Sequence, residues 1–144
     1  MSTAFLHAPL DEKVYLRQLK GLRTGNAHDI WELFKALYGL KQAPRAWNKL
    51  LSSKLIAAGW VQSDADPSLC LQYNSENEVI AAALIYVDDL QLASKDPALV
   101  DALIAEIKGW WPCTVQAADR FLGIEIHHDC YTFIKLDLNN VFFT

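Results

Sequence analysis

The stretch ALIYVDDLQLA, Ala83–Ala93, runs apolar into two adjacent aspartates and straight back into an apolar run. Strand neighbours point to opposite faces, so Asp88 and Asp89 converge only if the chain turns there. A tight hairpin between Tyr86 and Leu90 puts both carboxylates near one edge of an otherwise apolar sheet. Two like charges held that close repel unless a cation neutralises them or one takes up a proton. One reading is a solvated Asp-Asp turn. The other is a magnesium site, because magnesium takes hard oxygen ligands, typically one or two carboxylates plus substrate phosphates. A pair of such ions suits in-line phosphoryl transfer, one activating a hydroxyl and the other steadying the leaving pyrophosphate.

Working outward, the run from Val79 leads into that hairpin, and Leu90–Ala93 reads as the return strand. Leu69–Tyr73 reads as a preceding strand, joined to Val79–Tyr86 by the turn residues Asn74-Ser75-Glu76-Asn77. Asp96 is placed as an N-cap with Pro97 at the first helical position; Leu99, Val100, Leu103, Ile104 and Ile107 then form a buried face. Upstream, Pro44 suits a first helical turn, with an apolar stripe Trp47, Leu50, Leu51, Leu55, Ile56 and a capping Gly59. Trp31, Phe34, Leu37 and Tyr38 recur at helical spacing after Asp29, which predicts a short helix ending near Gly39. Val14–Leu19 reads as a strand, Gly21–Asn26 as a loop, and Gln62–Pro67 as a polar link. Phe121–Ile126 and Tyr131–Leu136 are expected to pair with each other around His127-His128-Asp129. The order implies an α+β fold, an antiparallel sheet with helices packed on one face.

Composition narrows the function classes. A chain of 144 residues with 52% hydrophobic and 21% charged residues fits one globular domain with a real core. The longest apolar run is too short to span a bilayer, and no secretory signal opens the chain, so no membrane role and a cytoplasmic setting are expected. Three cysteines, Cys70, Cys113 and Cys130, lack CxxC spacing, against a disulfide framework or structural zinc. His127-His128 has no companions at metal-ligand spacing and reads as a turn. The net charge of −4 hides an asymmetry: residues 1–54 hold nine Lys/Arg against four Asp/Glu, and residues 55–144 hold four against thirteen. That polarity fits a basic surface for phosphates beside an acidic one for metals, or simply two solvated faces.

Four stretches separate these readings. Tyr86-Val87-Asp88-Asp89 matches the YxDD box of reverse transcriptases. ALYGLKQAPRAW, Ala36–Trp47, closely resembles a signature of copia-type retrotransposon polymerases. Thr3-Ala4-Phe5-Leu6 with Pro9-Leu10 and Val14-Tyr15 is similar to the family's region after its first catalytic aspartate, and Phe121–Ile126 to its primer-grip strand. They occur in family order over nearly the whole chain, which is thus identified as resembling a copia-type reverse transcriptase.

The resemblance implies a partial right-hand polymerase palm, with part of the fingers, that carries out RNA-directed DNA synthesis on Mg2+, or on Mn2+ as the alternative ion. Its partners would be an RNA or DNA template with primer, and dNTPs. By resemblance Asp88 is a direct metal ligand, Asp89 supports the same site, and Tyr86 lies along the primer end. Phe5 matches an aromatic gate that crowds a 2′-hydroxyl; from its residue type alone it is a plain core aromatic. Gly39 and Lys41 fall in the segment that approaches the incoming nucleotide. Arg45, with Lys49, meets template phosphates or else lies on an exposed helix face. Gly123 lets the primer backbone pass close, or else marks a bulge.

The family pattern Asp-Val-x-Thr-Ala-Phe-Leu meets Met1-Ser2-Thr3-Ala4-Phe5-Leu6 here, so the first catalytic aspartate is expected just before Met1, and Asp11 lies well beyond the motif. Gly109–Asp119 holds no lysine to protonate pyrophosphate, and Lys108 is the nearest candidate. The expectation is a fragment without that aspartate, thumb or RNase H part, inactive alone, set in the intact element within a virus-like particle. Exposed palm surface would favour self-association. Two rival readings stand beside this one. The first is a non-catalytic palm relic that binds nucleic acid or protein, and the second is an α+β domain whose Asp-Asp turn binds nothing.

Overall fold

The computed structural model describes residues 4–22, 24–26, 28–118, 120–121, 124–126 and 132–137. A 3-10 turn, Ala4–His7, leads into a two-stranded ribbon of β1 (Pro9–Arg17) and β2 (Ile30–Lys35). Helix α1 (Ala43–Ala57) follows, then β3 (Val61–Gln62), β4 (Leu69–Tyr73), β5 (Val79–Tyr86) and β6 (Asp89–Ser94) as an antiparallel meander. Helix α2 (Pro97–Trp110) and β7 (Thr114–Ala117) come next. Short strands β8 (Arg120–Phe121) and β9 (Ile124–Glu125) pair with each other, and β10 (Thr132–Asp137) completes a six-stranded sheet of order β3-β4-β5-β6-β10-β7. Among the described residues no helix is long and apolar enough to cross a membrane.

Alternation decides which side of the sheet is covered. Ala81, Ala83 and Ile85 of β5 pair with Ser94, Leu92 and Leu90 of β6, and all six are buried. Cys70 lies opposite Ala83, and Leu136 opposite Leu90, extending that row into β4 and β10. The same cluster takes in Trp47, Leu51 and Leu55 of α1 and Val100, Leu103, Ile104 and Ile107 of α2, so both helices pack on this one face. Aromatic contacts join them: Trp47 meets Trp111 edge-on at 5.0 Å, and Lys54 lies 5.8 Å from the Trp110 ring. The opposite face, with Leu69, Leu71, Ala82 and Leu84, is only partly buried.

Local chemistry sets the boundaries. Asp96 accepts from the Ala98 N–H at 2.9 Å and caps α2, with Pro97 just inside the helix, as the sequence predicts. Gly59, at φ +90°, follows the C-cap of α1 and donates to the Ile56 carbonyl. Asn74 makes the β4–β5 turn by accepting from the Glu76 and Glu78 N–H groups at 3.0 and 2.9 Å. Ser94 is fully buried but satisfied, donating to the Ile80 carbonyl at 2.8 Å and accepting from the Asp96 N–H at 3.0 Å.

Three expectations are corrected. The segment after Asp29 is the strand β2, not a helix. Trp31 and Leu33 pair with Leu16 and Val14, so an alternating apolar face outweighs the helical spacing of Trp31 and Phe34. β1 also begins earlier than Val14, because β2 gives Pro9 a partner at Lys35. The last strand does not pair with 121–126. It inserts between β6 and β7, where Leu136 gains a fully buried place opposite Leu90, while β8 pairs with β9. β3 and β7 had no periodic signal to mark them. His127-His128-Asp129 lies outside the described residues.

One-sided packing has a measurable signature. Replacing Leu92, 1% exposed, by Ala should cost about 2–5 kcal/mol by cavity formation. Leu84→Ala, one position along the β5–β6 pairing on the other face, should cost well under half as much. Urea unfolding of both variants checks this, and equal losses would mean that the second face is covered too.

Candidate metal and nucleotide site

The β5–β6 hairpin closes with two residues, Val87 and Asp88, between the paired Tyr86 and Asp89. Val87 has φ +52°, a left-handed conformation that a β-branched side chain rarely adopts. The tight turn forces it, because strands joined by two residues twist correctly only with positive φ at the turn. Asp88 therefore projects from the turn itself. Asp89 is the first residue of β6, on the less covered face beside Tyr86. Both carboxylates are half-buried and Tyr86 is exposed. The sequence reading placed both aspartates in the turn, and the structure puts only Asp88 there.

The turn before α1 comes up to this hairpin. The Tyr38 hydroxyl donates to Asp88 Oδ2 at 3.3 Å, across 50 positions of chain. Phe5, on the 3-10 turn, packs its ring on Tyr38 with centroids 4.2 Å apart and planes tilted by 31°. Phe5 is 4% exposed and Tyr38 46%, so Phe5 lies beneath and Tyr38 faces outward. Thus Phe5, Tyr38 and Asp88 lie in a row although they come from three separate parts of the sequence. Nothing in the local pattern distinguished Tyr38 within its motif, since the contact that singles it out is long-range.

Gly39 has φ +96°, and that backbone alone calls for glycine, as a Cβ there would meet nothing within 4 Å. Lys41 is exposed in the same turn. Arg45 and Lys49 stand on the outer side of α1, away from Trp47, over a cleft of about 260 Å³ shared with Leu10, Asp11, Glu12, Gln42 and Ala46. Lys49 Nζ donates to Asp11 Oδ2 at 2.8 Å. The basic pair is thus partly balanced by acid from β1, which spacing within α1 could not reveal. Gly123 lies outside the described residues.

The donor set suits a small hard cation. Asp88 and Asp89 offer carboxylate oxygens at a partly open edge, where water and phosphate oxygens can fill the remaining positions. Among the described residues no three His, Cys, Asp or Glu side chains gather as a closed cage. That combination fits a divalent ion shared with a substrate and does not fit structural zinc.

The Asp11 carboxyl is held below its ordinary value, first by the hydrogen bond from Lys49, then by the charge of Lys49, against a smaller desolvation effect. A depressed folded value means that any stabilisation from the pair is present above the ordinary carboxylate range and is lost as pH falls through the folded value. Lys49→Ala should move Asp11 back up toward that range. A carboxylate-detected NMR titration checks this, and an unmoved Asp11 would show that the ion pair is not formed in solution.

Comparison with known proteins gives a consistent result. The family described as reverse transcriptase (RNA-dependent DNA polymerase) matches residues 1–142. The chain is 39% identical over 142 residues to the retrovirus-related Pol polyprotein from transposon RE1 of Arabidopsis thaliana, covering 98% of this chain and 9% of that protein. It is 35% identical over 128 residues to the corresponding polyprotein from transposon TNT 1-94 of Nicotiana tabacum, covering 88% and 10%. A putative transposon Ty5-1 protein of Saccharomyces cerevisiae is 32% identical over 142 residues, with 97% and 46% covered. The chain thus spans less than half the length of these relatives. No solved structure matches it.

Proposed function

The chain belongs to the copia-type reverse transcriptase family, and from that premise we propose that it forms the palm-like part of an RNA-directed DNA polymerase. Its Val87-Asp88 turn would be the metal-bearing end of that palm. The observation that carries the reading is the meeting of the two motifs. The YVDD hairpin and the ALYGLKQAPRAW turn, far apart in sequence, touch through Tyr38 and Asp88.

In this reading Asp88 binds Mg2+, or Mn2+, directly, and Asp89 supports the same site from the start of β6. Bound there, a divalent ion supplies the charge neutralisation that nucleotidyl transfer to a primer end requires. Tyr86, exposed beside Asp89, offers an aromatic face to the primer end. The turn at Gly39 and Lys41 presents backbone and a cation to a triphosphate. Arg45 and Lys49 serve template phosphates, and Asp11 must release Lys49 for that contact. Phe5, buried beneath Tyr38, acts on the sugar side through the Tyr38 ring that it supports. The partners are an RNA or DNA template with primer, and dNTPs, and the place of action is a particle in the cytoplasm.

On this reading Asp88 and Asp89 alone supply less charge than a two-metal site needs. Residues 1–144 alone are therefore expected to give no primer extension with magnesium. They should still bind primed template with an affinity that falls steeply as salt rises. An extension assay and a salt series measure both. Clear incorporation, lost on Asp88→Asn, would show that the pair suffices, and salt-independent or absent binding would sink the template reading.

A further inference from the structure

We propose that Tyr38 is a positioning residue for the metal ligand Asp88, acting through its hydroxyl from the turn that precedes α1. The inference rests on the reading of Asp88 as a metal ligand and adds a residue to that site.

A carboxylate carried on a two-residue turn must be oriented before it can ligate an ion. Asp88 stands at the tip, outside the strand ladder that fixes Asp89, and follows a residue in a strained conformation. Ordering such a side chain costs rotamer entropy each time an ion binds. The Tyr38 hydroxyl meets that need geometrically. It donates to Oδ2, and a carboxylate carries further lone pairs with which it can ligate a cation. Hydrogen-bond donors of this kind, placed behind ligating carboxylates, orient the ligand and raise metal affinity.

Tyr38 is itself held in place. Its ring lies on Phe5 at 4.2 Å, and Phe5 is buried in the core beneath it. Turn hydrogen bonds fix the backbone on its other side, Leu40 N–H to the Leu37 carbonyl and Ala43 N–H to the Leu40 carbonyl, each 3.2 Å. The positive φ of Gly39 lets the chain reverse immediately after Tyr38 and enter α1. The hydroxyl is thus anchored by the core and by the start of a helix, so it can orient the carboxylate it touches. A ring merely resting on the surface would gain nothing from a rigid support, and would have no reason to end at Asp88.

At 3.3 Å the bond is longer than a strong O–H···O⁻ contact, so its effect belongs at the low end for such partners. Tyr38→Phe keeps the ring on Phe5 and removes only the O–H. It should weaken metal binding by about tenfold, while the thermal midpoint stays at the wild-type value.

Mn2+ is the probe. Free Mn2+ is read by electron paramagnetic resonance during titration of the 144-residue chain, of Tyr38→Phe and of Asp88→Asn. A second readout needs no metal and no change at Tyr38. With 13C-labelled tyrosine, the Tyr38 ring Cζ resonance should move on Asp88→Asn. The inference holds if Tyr38→Phe binds Mn2+ at least threefold more weakly and the Cζ signal moves. If Tyr38→Phe binds as tightly as wild type, or more tightly, while Asp88→Asn loses the ion, the positioning role is wrong and the metal reading stands. An unmoved Cζ signal likewise overturns the positioning role. If Asp88→Asn binds like wild type, or wild type takes up no Mn2+ at millimolar concentration, the metal reading falls and this inference falls with it.

Discussion

The register between β5 and β6 is the constraint on which the fold and the site both depend. With Tyr86 opposite Asp89, the residues Ala81, Ala83, Ile85, Leu90, Leu92 and Ser94 all face the helices. The same register leaves Asp89 and Tyr86 on the less covered side and puts Asp88 in the turn. A slip of one residue would send the whole apolar set to the wrong face and carry an aspartate into the core. Because the turn has only two residues, that register cannot drift without breaking it. Burial of the apolar row therefore does two things at once. It holds the sheet to the helices, and it fixes where the carboxylates emerge.

The strain at Val87 is then a cost imposed by the same geometry. A β-branched residue at positive φ persists only where its surroundings over-determine it. Here the paired strands on either side do so. Asp88 and Asp89, adjacent in the chain, are both half-buried. The contact from Tyr38 reaches into this arrangement from a different part of the chain. It links the segment that family resemblance assigns to the nucleotide with the segment assigned to the ion, and the link consists of one hydroxyl and one ring stack.

Much of this is legible in the amino-acid sequence. The Asp96 cap, the Gly59 terminator, the Asn74 turn and the β5–β6 hairpin follow from side-chain chemistry acting within a few residues, and each stands where the pattern puts it. The family was legible too, because two specific motifs and two weaker ones fell in order. What was not legible depends on partners remote in sequence. β2 reads as a helix until β1 is laid beside it. β10 reads as one arm of a hairpin until the gap between β6 and β7 is seen. The pairing of Lys49 with Asp11 and the burial of Phe5 under Tyr38 are likewise tertiary facts. Residue types limit which contacts are available, and packing selects among them.

The position of β10 bears on how the chain reaches its folded state. β6 is finished by residue 94, yet the strand that covers its free edge spans Thr132–Asp137, and among the described residues β7 joins the sheet through that strand. During synthesis the β3–β6 meander emerges before β10, with one edge of β6 unpaired. An open apolar edge is a template for pairing with another chain. Roughly forty residues must follow before it closes, a delay of several seconds at ordinary translation rates of about 5–20 residues per second. Pairing with β10 thus covers that edge and ends this exposure. Ribosome-bound chains stopped short of residue 132 would be the species most in need of a chaperone.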